Sequence, residues 1–313
     1  MRVLVTGGAG FIGNAVTAEL LRHGYEVTVL DIAVPHVEHK GLNYINADVL
    51  DINVVRRVLI DYNIDSVIHL VGLPEVKKCQ ENPDLSFKLN TYSVQNVIEA
   101  MRLVACRKII FASSATVYGN PDRNPVKETD LPNPTSIYGY HKFMGELVVR
   151  SYAKEYDIKG VILRLFNVFG GNPVRGKDVI SVFLRKIKEK KPLTVYGPNK
   201  FRDFINVDEV AQIISASLLK MEEITCEDPV PIINVGSGEP LKIVEIANFI
   251  EKNVTDPIEI KIIDTEDDGT GFYADISKLV GLIRLKPKPS KTAVFEYIKS
   301  VLRSQQGEMK CDK

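Results

Sequence analysis

The sequence predicts an α/β fold: a doubly wound parallel sheet followed by a smaller C-terminal α/β domain. In its first half, short apolar runs typical of buried strands alternate with helical patterns. Beyond about residue 170 the elements become shorter, and their loops are rich in glycine, proline and lysine. We therefore expect one domain over residues 1–168 and a second over 169–313, with the segments near 203–220 and 231–238 returning to the first.

A glycine-rich turn joins the first predicted strand to the first predicted helix. Residues 2–6 are an apolar run typical of a buried strand, and a helix is predicted to end near residue 23. In the turn, Gly7 permits the tight bend, Gly10 lets a pyrophosphate approach the backbone, and Gly13 lets the helix pack closely on the strand. The helix dipole and the free N–H groups then hold the anion without a lysine.

The second predicted strand, residues 26–30, ends at Asp31. A carboxylate at this point would bond the ribose hydroxyls of a dinucleotide and repel a 2′-phosphate. Strand, glycine turn, helix, strand and acid together are the Rossmann dinucleotide-binding arrangement. We therefore expect NAD, rather than NADP, as the cofactor.

The alternation of strands and helices continues along the chain. Further strands are predicted over residues 42–45, 66–70, 108–113, 160–165, 193–196, 231–235 and 258–263. Further helices are predicted over residues 53–62, 85–103, 136–156, 179–190, 207–221 and 241–253. Because ligands of such sheets bind beyond the carboxyl ends of the strands, we expect Asp48, the Val71-Gly72-Leu73 turn and Ser113-Ser114 to line the site.

Tyr138 and Lys142 lie four residues apart on a predicted helix, so they share one face of it. The lysine's charge would lower the pKa of the tyrosine from its usual value near ~10. Such a tyrosine could take a proton from a sugar hydroxyl near neutral pH and return it. The alternative is that Tyr138 is an ordinary half-buried aromatic residue and that Lys142 extends along the surface.

Bulk composition excludes several classes of function. Lysine plus arginine equals aspartate plus glutamate at 40 each, so no bulk charge indicates nucleic acid or an anionic membrane as a partner. The four cysteines are scattered, which argues against a metal site and favours a reducing, cytoplasmic compartment. We expect no signal peptide, since the first strand begins at Arg2, and no membrane span, since no apolar run approaches ~18 residues.

Three motifs follow one another in the chain. The glycine turn from Gly7 to Gly13 precedes Ser113-Ser114-Ala-Thr-Val-Tyr-Gly119, which precedes Tyr138-x-x-x-Lys142. In this order and spacing they resemble the extended short-chain dehydrogenase/reductase family, in particular its NAD-dependent nucleotide-sugar epimerases and dehydratases. The resemblance covers the chain from its start to about residue 285.

The resemblance implies roles for three catalytic residues. Tyr138 is the acid/base, Lys142 binds the nicotinamide ribose and lowers the tyrosine's pKa, and Ser114 bonds the substrate hydroxyl. Removing a hydride from a sugar carbon requires loss of the neighbouring hydroxyl proton, while the nicotinamide accepts the hydride. The alternative for Ser114 is a strand-end serine that bonds its own backbone.

The resemblance also implies the ligand contacts. The positions that match NAD contacts are Gly7, Gly10, Phe11, Ile12, Gly13, Asp31, Asp48, Val49, Leu70, Val71, Gly72, Asn90, Tyr138, Lys142 and Phe166. The positions that match nucleotide-sugar contacts are Ser114, Tyr138, Asn167, Val195, Tyr196, Arg202 and Asp268. Arg202 would hold the phosphate or ribose as a planar fork, and its alternative role is a structural pairing with Asp203 or Asp208.

The residues after Ser114 narrow the choice within the family. The 4,6-dehydratases carry an Asp-Glu pair there, and the decarboxylating members a glutamate at the second position, whereas this chain has Ala115-Thr116. The motif is most similar to that of the UDP-glucose/UDP-galactose 4-epimerases. In their reaction Tyr138 would deprotonate the 4-hydroxyl, NAD would take the C4 hydride, the 4-keto sugar would rotate, and the hydride would return to the other face.

Two alternatives stay open: another nucleotide-sugar epimerase or 4-keto-sugar reductase of the family, and a non-catalytic nucleotide-binding regulator. The family's usual arginine, ten residues before the aspartate matched by Asp275, is Thr265 here. This leaves the nucleotide diphosphate undetermined, and Arg175, Lys177 or Lys200 could substitute. The resemblance further implies a homodimer that pairs the helices over 85–103 and 136–156 as a four-helix bundle.

Overall fold

The computed structural model describes residues 1–34, 40–173, 176, 178–266 and 269–311, with side chains described up to residue 304. The strands are β1 (Arg2–Thr6), β2 (Glu26–Asp31), β3 (Leu42–Asn46), β4 (Ser66–His69), β5 (Lys108–Ser114), β6 (Lys159–Leu165), β7 (Asn167–Phe169), β8 (Leu193–Tyr196), β9 (Phe201–Asn206), β10 (Ile232–Val235), β11 (Pro240–Lys242) and β12 (Ile260–Ile263). The helices are α1 (Phe11–Arg22), α2 (Ile52–Asp61), α3 (Val76–Glu81), α4 (Pro83–Phe87), α5 (Ser93–Leu103), α6 (Ile137–Tyr156), α7 (Val179–Lys188), α8 (Val207–Leu219), α9 (Met221–Ile224), α10 (Ile243–Glu251), α11 (Ser277–Ile283) and α12 (Ser290–Cys311).

A seven-stranded sheet forms the centre of the fold. Its strand order is β10-β6-β5-β4-β1-β2-β3, and every neighbouring pair is parallel. From β1 the strand order runs outward through β2 and β3, and from β4 it runs the other way through β5 and β6. This reversal between β1 and β4 creates a crevice at their carboxyl ends. The predicted doubly wound parallel sheet is confirmed.

Two apolar cores cover the two faces of this sheet. On one face α1 and α8 pack against the strands through buried residues such as Val16, Leu20 and Ile214. On the other face α2, α5 and α6 do so, with Val97 and Val149 fully buried. Strand β10 pairs with β6, and α8 packs beside α1 on one face of the sheet. Both elements come after residue 169, so the chain returns to the seven-stranded sheet.

A third core lies in the C-terminal half of the chain. Helices α7, α10 and α12 enclose Phe183, Ile246 and Val294, which are almost completely buried. They pack with the three-stranded sheet β11-β9-β7 and the parallel pair β12-β8. Within the described residues, no helix is long and apolar enough to cross a membrane.

The sequence prediction omitted helices α3, α9 and α11 and strands β7, β9 and β11. Two longer helices also differ from the prediction. The single helix predicted over residues 85–103 is α4, a π-helical turn over Lys88–Tyr92, and α5. The wide turn points Asn90 and Thr91 inward, where their side chains bond Leu73 and the carbonyl of His141. Helix α12 was not predicted, although Val294, Ile298 and Leu302 repeat every four residues and are buried.

Helix α6 lies close against β5. The side chain of Ser136 caps its first turn by accepting the Gly139 N–H at 3.1 Å. An added Cβ at Gly145 would lie 2.8 Å from Cζ of Phe111 and 3.2 Å from the carbonyl oxygen of Asn90. Phe111 is fully buried and stacked on His69, so it has little room to move. Glycine at this position therefore sets the distance between the helix and the sheet.

We predict that Gly145→Ala lowers the free energy of unfolding by about 1–3 kcal/mol, because the added methyl group overpacks this contact. The matched control is Gly281→Ala in α11, where an added Cβ would meet nothing within 4 Å. That control should raise stability by about 0.5–1 kcal/mol through helix propensity. Urea unfolding followed by circular dichroism measures both values, and equal effects of the two substitutions would contradict the packing argument.

Candidate active site

The glycine turn after β1 forms a backbone cradle at the N-terminus of α1. Gly7 has a φ of +75°, and its carbonyl accepts the Gly10 N–H at 3.1 Å. Gly10 caps α1 without any side-chain acceptor, so none of its own atoms fills the space at the helix end. An added Cβ at Gly13 would lie 2.1 Å from the oxygen of Gly7. The cradle therefore fits a pyrophosphate held by backbone N–H groups, as in a dinucleotide site.

Asp31 is fixed at the edge of this cradle. Its carboxylate accepts the N–H of Ala9 and that of Ala33, each at 3.0 Å. The next strand, β3, is followed by Asp48, whose carboxylate accepts the Leu50 N–H at 2.9 Å. Asp31 therefore ends β2 and Asp48 follows β3, at the carboxyl edge of the sheet where an adenosine ribose is expected.

The turn after β4 lies between the cradle and α6. Leu70 donates its N–H to the carbonyl of Thr6, and the Leu73 N–H donates to Asn90 Oδ1, each at 3.0 Å. An added Cβ at Gly72 would lie 2.7 Å from Asn90 Oδ1 and 3.2 Å from Lys142 Nζ. This glycine therefore lets the turn lie directly against Asn90 and Lys142, two side chains predicted to contact NAD.

Ser114, Tyr138 and Lys142 come together at the carboxyl end of β5. Each is less than a tenth exposed. Tyr138, on the first turn of α6, lies beside Ser114, which acts to lower the pKa of its phenol. One helical turn further, Lys142 Nζ donates to the carbonyl of Ala112 at 2.8 Å.

The Ser114 hydroxyl also contacts its own strand end. Its Oγ accepts the N–H of Thr116 at 3.2 Å and the Thr116 hydroxyl at 2.9 Å. The backbone contact that we gave as the alternative role for Ser114 is therefore present, while the same serine lies beside Tyr138. Because both Thr116 groups donate to Ser114, the proton of the serine is left to be donated towards the phenol or a ligand.

Burial dominates the electrostatics of the pair. Burial raises the pKa of Tyr138 to about 12, although the neighbouring Ser114 acts in the opposite direction. Burial also lowers the pKa of Lys142 to about 8, against the opposing charge of Glu146. The expectation that Lys142 draws the tyrosine's pKa below its ordinary value is therefore wrong for the chain by itself, because desolvation of the phenolate outweighs any help from the ammonium.

The predicted nucleotide-sugar contacts lie in different surroundings. Asn167, at the start of β7, donates to the carbonyl of Asp203 at 3.0 Å. The side chain of Val195 is fully buried in the third core and is not presented to a ligand, whereas the neighbouring Tyr196 is 58% exposed. Arg202 donates to the carbonyls of Phe201 at 2.7 Å and Thr270 at 3.3 Å.

Asp203 is not available as a structural partner of Arg202. Its buried carboxylate accepts N–H groups of Ser237, Gly238 and Ala274, and the Ser237 hydroxyl at 2.7 Å. Asp268, Arg175 and Lys177 lie outside the described residues. Thr265 is described, and its buried Oγ1 has no hydrogen-bond partner among the described residues.

The remaining predicted cofactor residues have distinct positions. Phe11 and Ile12 begin α1. Val71 packs against the turn at Gly7, since a Cβ added to Gly7 would lie 2.9 Å from the backbone nitrogen of Val71. Val49 is buried after β3, and Phe166 is buried after β6, edge-on to Phe272 with ring centroids 5.8 Å apart. No group of three or more His, Cys, Asp or Glu residues able to hold a metal occurs in the described part of the chain.

Sequence reasoning missed a polar group behind the catalytic pair. Glu146, on α6, is almost completely buried and binds Arg164 of β6 and Ser113 of β5. The signal was present on the helix, because Tyr138, Lys142 and Glu146 are spaced by four residues and share one face. Its partner Arg164 could not be found in this way, since it comes from a separate strand.

Known proteins resemble this chain over most of its length. Residues 3–236 match the model of the NAD dependent epimerase/dehydratase family. A putative UDP-glucose 4-epimerase of Methanocaldococcus jannaschii is 32% identical over 290 residues, which are 90% of this chain and 92% of the relative. A dTDP-4-dehydro-6-deoxyglucose reductase of Escherichia coli is 30% identical over 299 residues, 91% of this chain and 92% of the relative.

A solved structure shares the fold. The UDP-glucose 4-epimerase of Thermus thermophilus, crystallised in complex with NAD, has a TM-score of 0.81 and 28% identity, covering 96% of this chain and 99% of that one. The family model covers well over half of the chain, and the glycine cradle, Ser114 and the Tyr138–Lys142 pair lie within the matched region. The chain therefore belongs to the NAD dependent epimerase/dehydratase family.

Proposed function

We propose that the protein is an NAD-dependent epimerase that interconverts UDP-glucose and UDP-galactose by transient oxidation at C4. The observation that carries the proposal is the meeting of Ser114, Tyr138 and Lys142 beside a glycine cradle shaped for a dinucleotide. Similarity to the epimerases of M. jannaschii and T. thermophilus supports the same reaction and substrate.

In this proposal the three residues move one proton. Tyr138 takes the proton of the sugar 4-hydroxyl as the C4–H bond breaks, and it returns that proton when the C4–H bond reforms on the other face. Ser114, whose oxygen is already occupied by two donors from Thr116, donates its own proton towards the sugar oxygen or the phenolate. Bound NAD supplies the hydride acceptor, and its oxidised form adds a positive charge that favours the phenolate.

The residues after Ser114 limit the chemistry to one carbon. Ala115 is buried and has no acidic group, and Thr116 uses both its N–H and its hydroxyl to hold Ser114. Elimination of a C6 hydroxyl would require an acid and a base at these positions, and neither residue can supply one. This supports epimerisation over dehydration.

The runner-up is a 4-keto-sugar reductase, or an epimerase for another nucleotide sugar. The similarity to the E. coli dTDP-4-dehydro-6-deoxyglucose reductase favours this alternative. A reductase consumes exchangeable NAD(P)H, whereas an epimerase keeps its NAD through turnover. A non-catalytic nucleotide-binding regulator is the remote alternative, and the complete set of Ser114, Tyr138 and Lys142 argues against it.

The division of labour between the two halves is part of the proposal. Residues 1–168 would bind NAD, and residues 169–313 would mainly bind the nucleotide sugar, apart from the returning segments near 203–220 and 231–238. The separate third core supports this division. Asn167, Tyr196 and Arg202 remain the proposed contacts to the nucleotide.

Homodimerisation and a cytoplasmic location also belong to the proposal. The outer faces of neighbouring helices carry large exposed apolar side chains: Phe87, Tyr92 and Leu103 in the stretch from α4 to α5, and Tyr140, Met144 and Leu147 on α6. A second copy would cover this surface as a four-helix bundle. Three free cysteines in the described residues are consistent with a reducing compartment.

The proposed reaction predicts that the purified protein converts UDP-galactose to UDP-glucose with no added reductant. Chromatography of the products from a panel of UDP-, dTDP- and GDP-sugars measures the reaction and identifies the base and the sugar. If no UDP-hexose turns over while a 4-keto sugar is reduced by NADH, the protein is a reductase and the proposal is wrong.

Tyr138→Phe is the matched variant for this assay. It removes only the hydroxyl that carries the proton, so kcat should fall by about 10²–10⁴-fold while NAD remains bound. Absorbance and mass spectrometry of the released nucleotide measure NAD content. Activity close to that of the wild type would remove Tyr138 from the proposed role.

The proposed dimer predicts that Met144→Glu combined with Leu147→Glu produces a monomer, because two carboxylates would be desolvated in the interface. Leu219→Glu is the control, since Leu219 lies on α8 and is 74% exposed. Size-exclusion chromatography with light scattering gives the mass. A wild-type monomer at micromolar concentration, or a double variant that stays dimeric, would contradict this surface as the interface.

A further inference from the structure

A buried ion pair lies one helical turn beyond Lys142. Glu146 and Arg164 have side chains only 1% and 2% exposed. The carboxylate accepts Nε of Arg164 at 2.9 Å and Nη2 at 2.7 Å, and the Ser113 hydroxyl donates to it at 2.5 Å. These three bonds hold the carboxylate in one place.

The same helix face contacts three consecutive residues of β5. Tyr138 lies beside Ser114, Lys142 bonds the carbonyl of Ala112, and Glu146 bonds Ser113 between them. Glu146 therefore ties the strand end that carries the catalytic serine to the helix that carries the tyrosine and lysine.

The titratable groups around Lys142 come from four elements, namely β4, α3, α6 and β6. His69 on β4 is neutral, since burial lowers its pKa to about 3, and α3 contributes the buried thiol of Cys79. Helix α6 contributes Tyr138, a neutral phenol, and Glu146, whose charge opposes the fall in the pKa of Lys142 more strongly than Cys79 does. Glu146 is therefore the main group in the described surroundings that favours the charged lysine.

Arg164 of β6 supplies the remaining charge. Its guanidinium lies over the ring of Tyr118 at 4.6 Å, and its Nη1 has no hydrogen-bond partner among the described residues. Lys142, Glu146 and Arg164 thus form a buried group with one excess positive charge. Such a group favours a transient anion beside it, which is the state that the proposed reaction requires of Tyr138.

We propose that Glu146, held by Arg164 and Ser113, is a positioning residue that keeps the Lys142 ammonium charged and aligned with the end of β5. This rests on the proposed function for its catalytic consequence, although the effect on Lys142 does not depend on it. Glu146 acts through Lys142 and need not touch the substrate or NAD.

The direct test is the titration of Lys142 in protein labelled with ¹³C at the lysine Cε, where its signal is assigned by its loss in Lys142→Met. In Glu146→Gln the midpoint should fall by about one pH unit or more relative to the wild type, because a nearby opposite charge has been removed. Ser113→Ala is the control, since it removes a hydrogen bond to the same carboxylate but keeps the charge, and its midpoint should stay close to that of the wild type.

The activity profile provides a second readout. The charged lysine is present below its pKa, so kcat/KM should decline as the pH rises through that value. The decline should begin at lower pH in Glu146→Gln and not in Ser113→Ala. A merely structural Glu146 would lower the thermal midpoint without moving either titration.

Glu146→Gln leaves Arg164 buried without its partner and could fail to fold. The double variant Glu146→Gln with Arg164→Met removes both charges and should show a smaller fall in the Lys142 titration, because loss of the Arg164 cation offsets part of the effect. Unchanged titration of Lys142 in whichever variant folds overturns the proposal. If the wild type turns over no nucleotide sugar, the proposed function fails, while the lysine titration still decides the role of Glu146.

Discussion

The packing of α6 on β5 is the constraint on which the site depends. Gly145 allows the helix to approach Phe111 and Asn90 without a side chain between them. At that distance residues spaced by four along the helix reach residues 112, 113 and 114 of the strand. A helix displaced outward by the width of a methyl group would lengthen these contacts together. The catalytic geometry is therefore a consequence of helix–sheet packing more than of any single hydrogen bond.

Desolvation decides the charge state of the pair, because Tyr138 and Lys142 are both buried. Burial favours the neutral form of each, so the pKa of the phenol is raised and the pKa of the ammonium is lowered. The buried carboxylate of Glu146 opposes part of this effect on the lysine, and the positive charge of oxidised NAD would act on the tyrosine. Without a cofactor Tyr138 is therefore a proton donor, and bound oxidised NAD would favour its role as a proton acceptor.

The sequence was informative wherever the chemistry is local. The glycine turn, the acid at Asp31 and the Tyr138–Lys142 spacing could be found because each depends on residues that are neighbours in the chain or on one helix. The π-helical turn at Asn90 could not, since it is stabilised by Leu73 from a separate loop. The burial of Val195 likewise depends on the third core, and the pairing of Glu146 with Arg164 depends on two elements that meet only in the folded protein. The predicted direction of the shift in the pKa of Tyr138 was wrong for the same reason, since residue spacing reveals a nearby charge but not the degree of burial.

The central claim is that one hydride leaves C4 and returns to the same carbon within a single site. The most direct measurement uses UDP-galactose that carries deuterium at C4, with no added reductant, and locates the label in the product by NMR. The account predicts that UDP-glucose forms with the deuterium still at C4. Loss of the label to solvent, or conversion that requires added NADH, would contradict it.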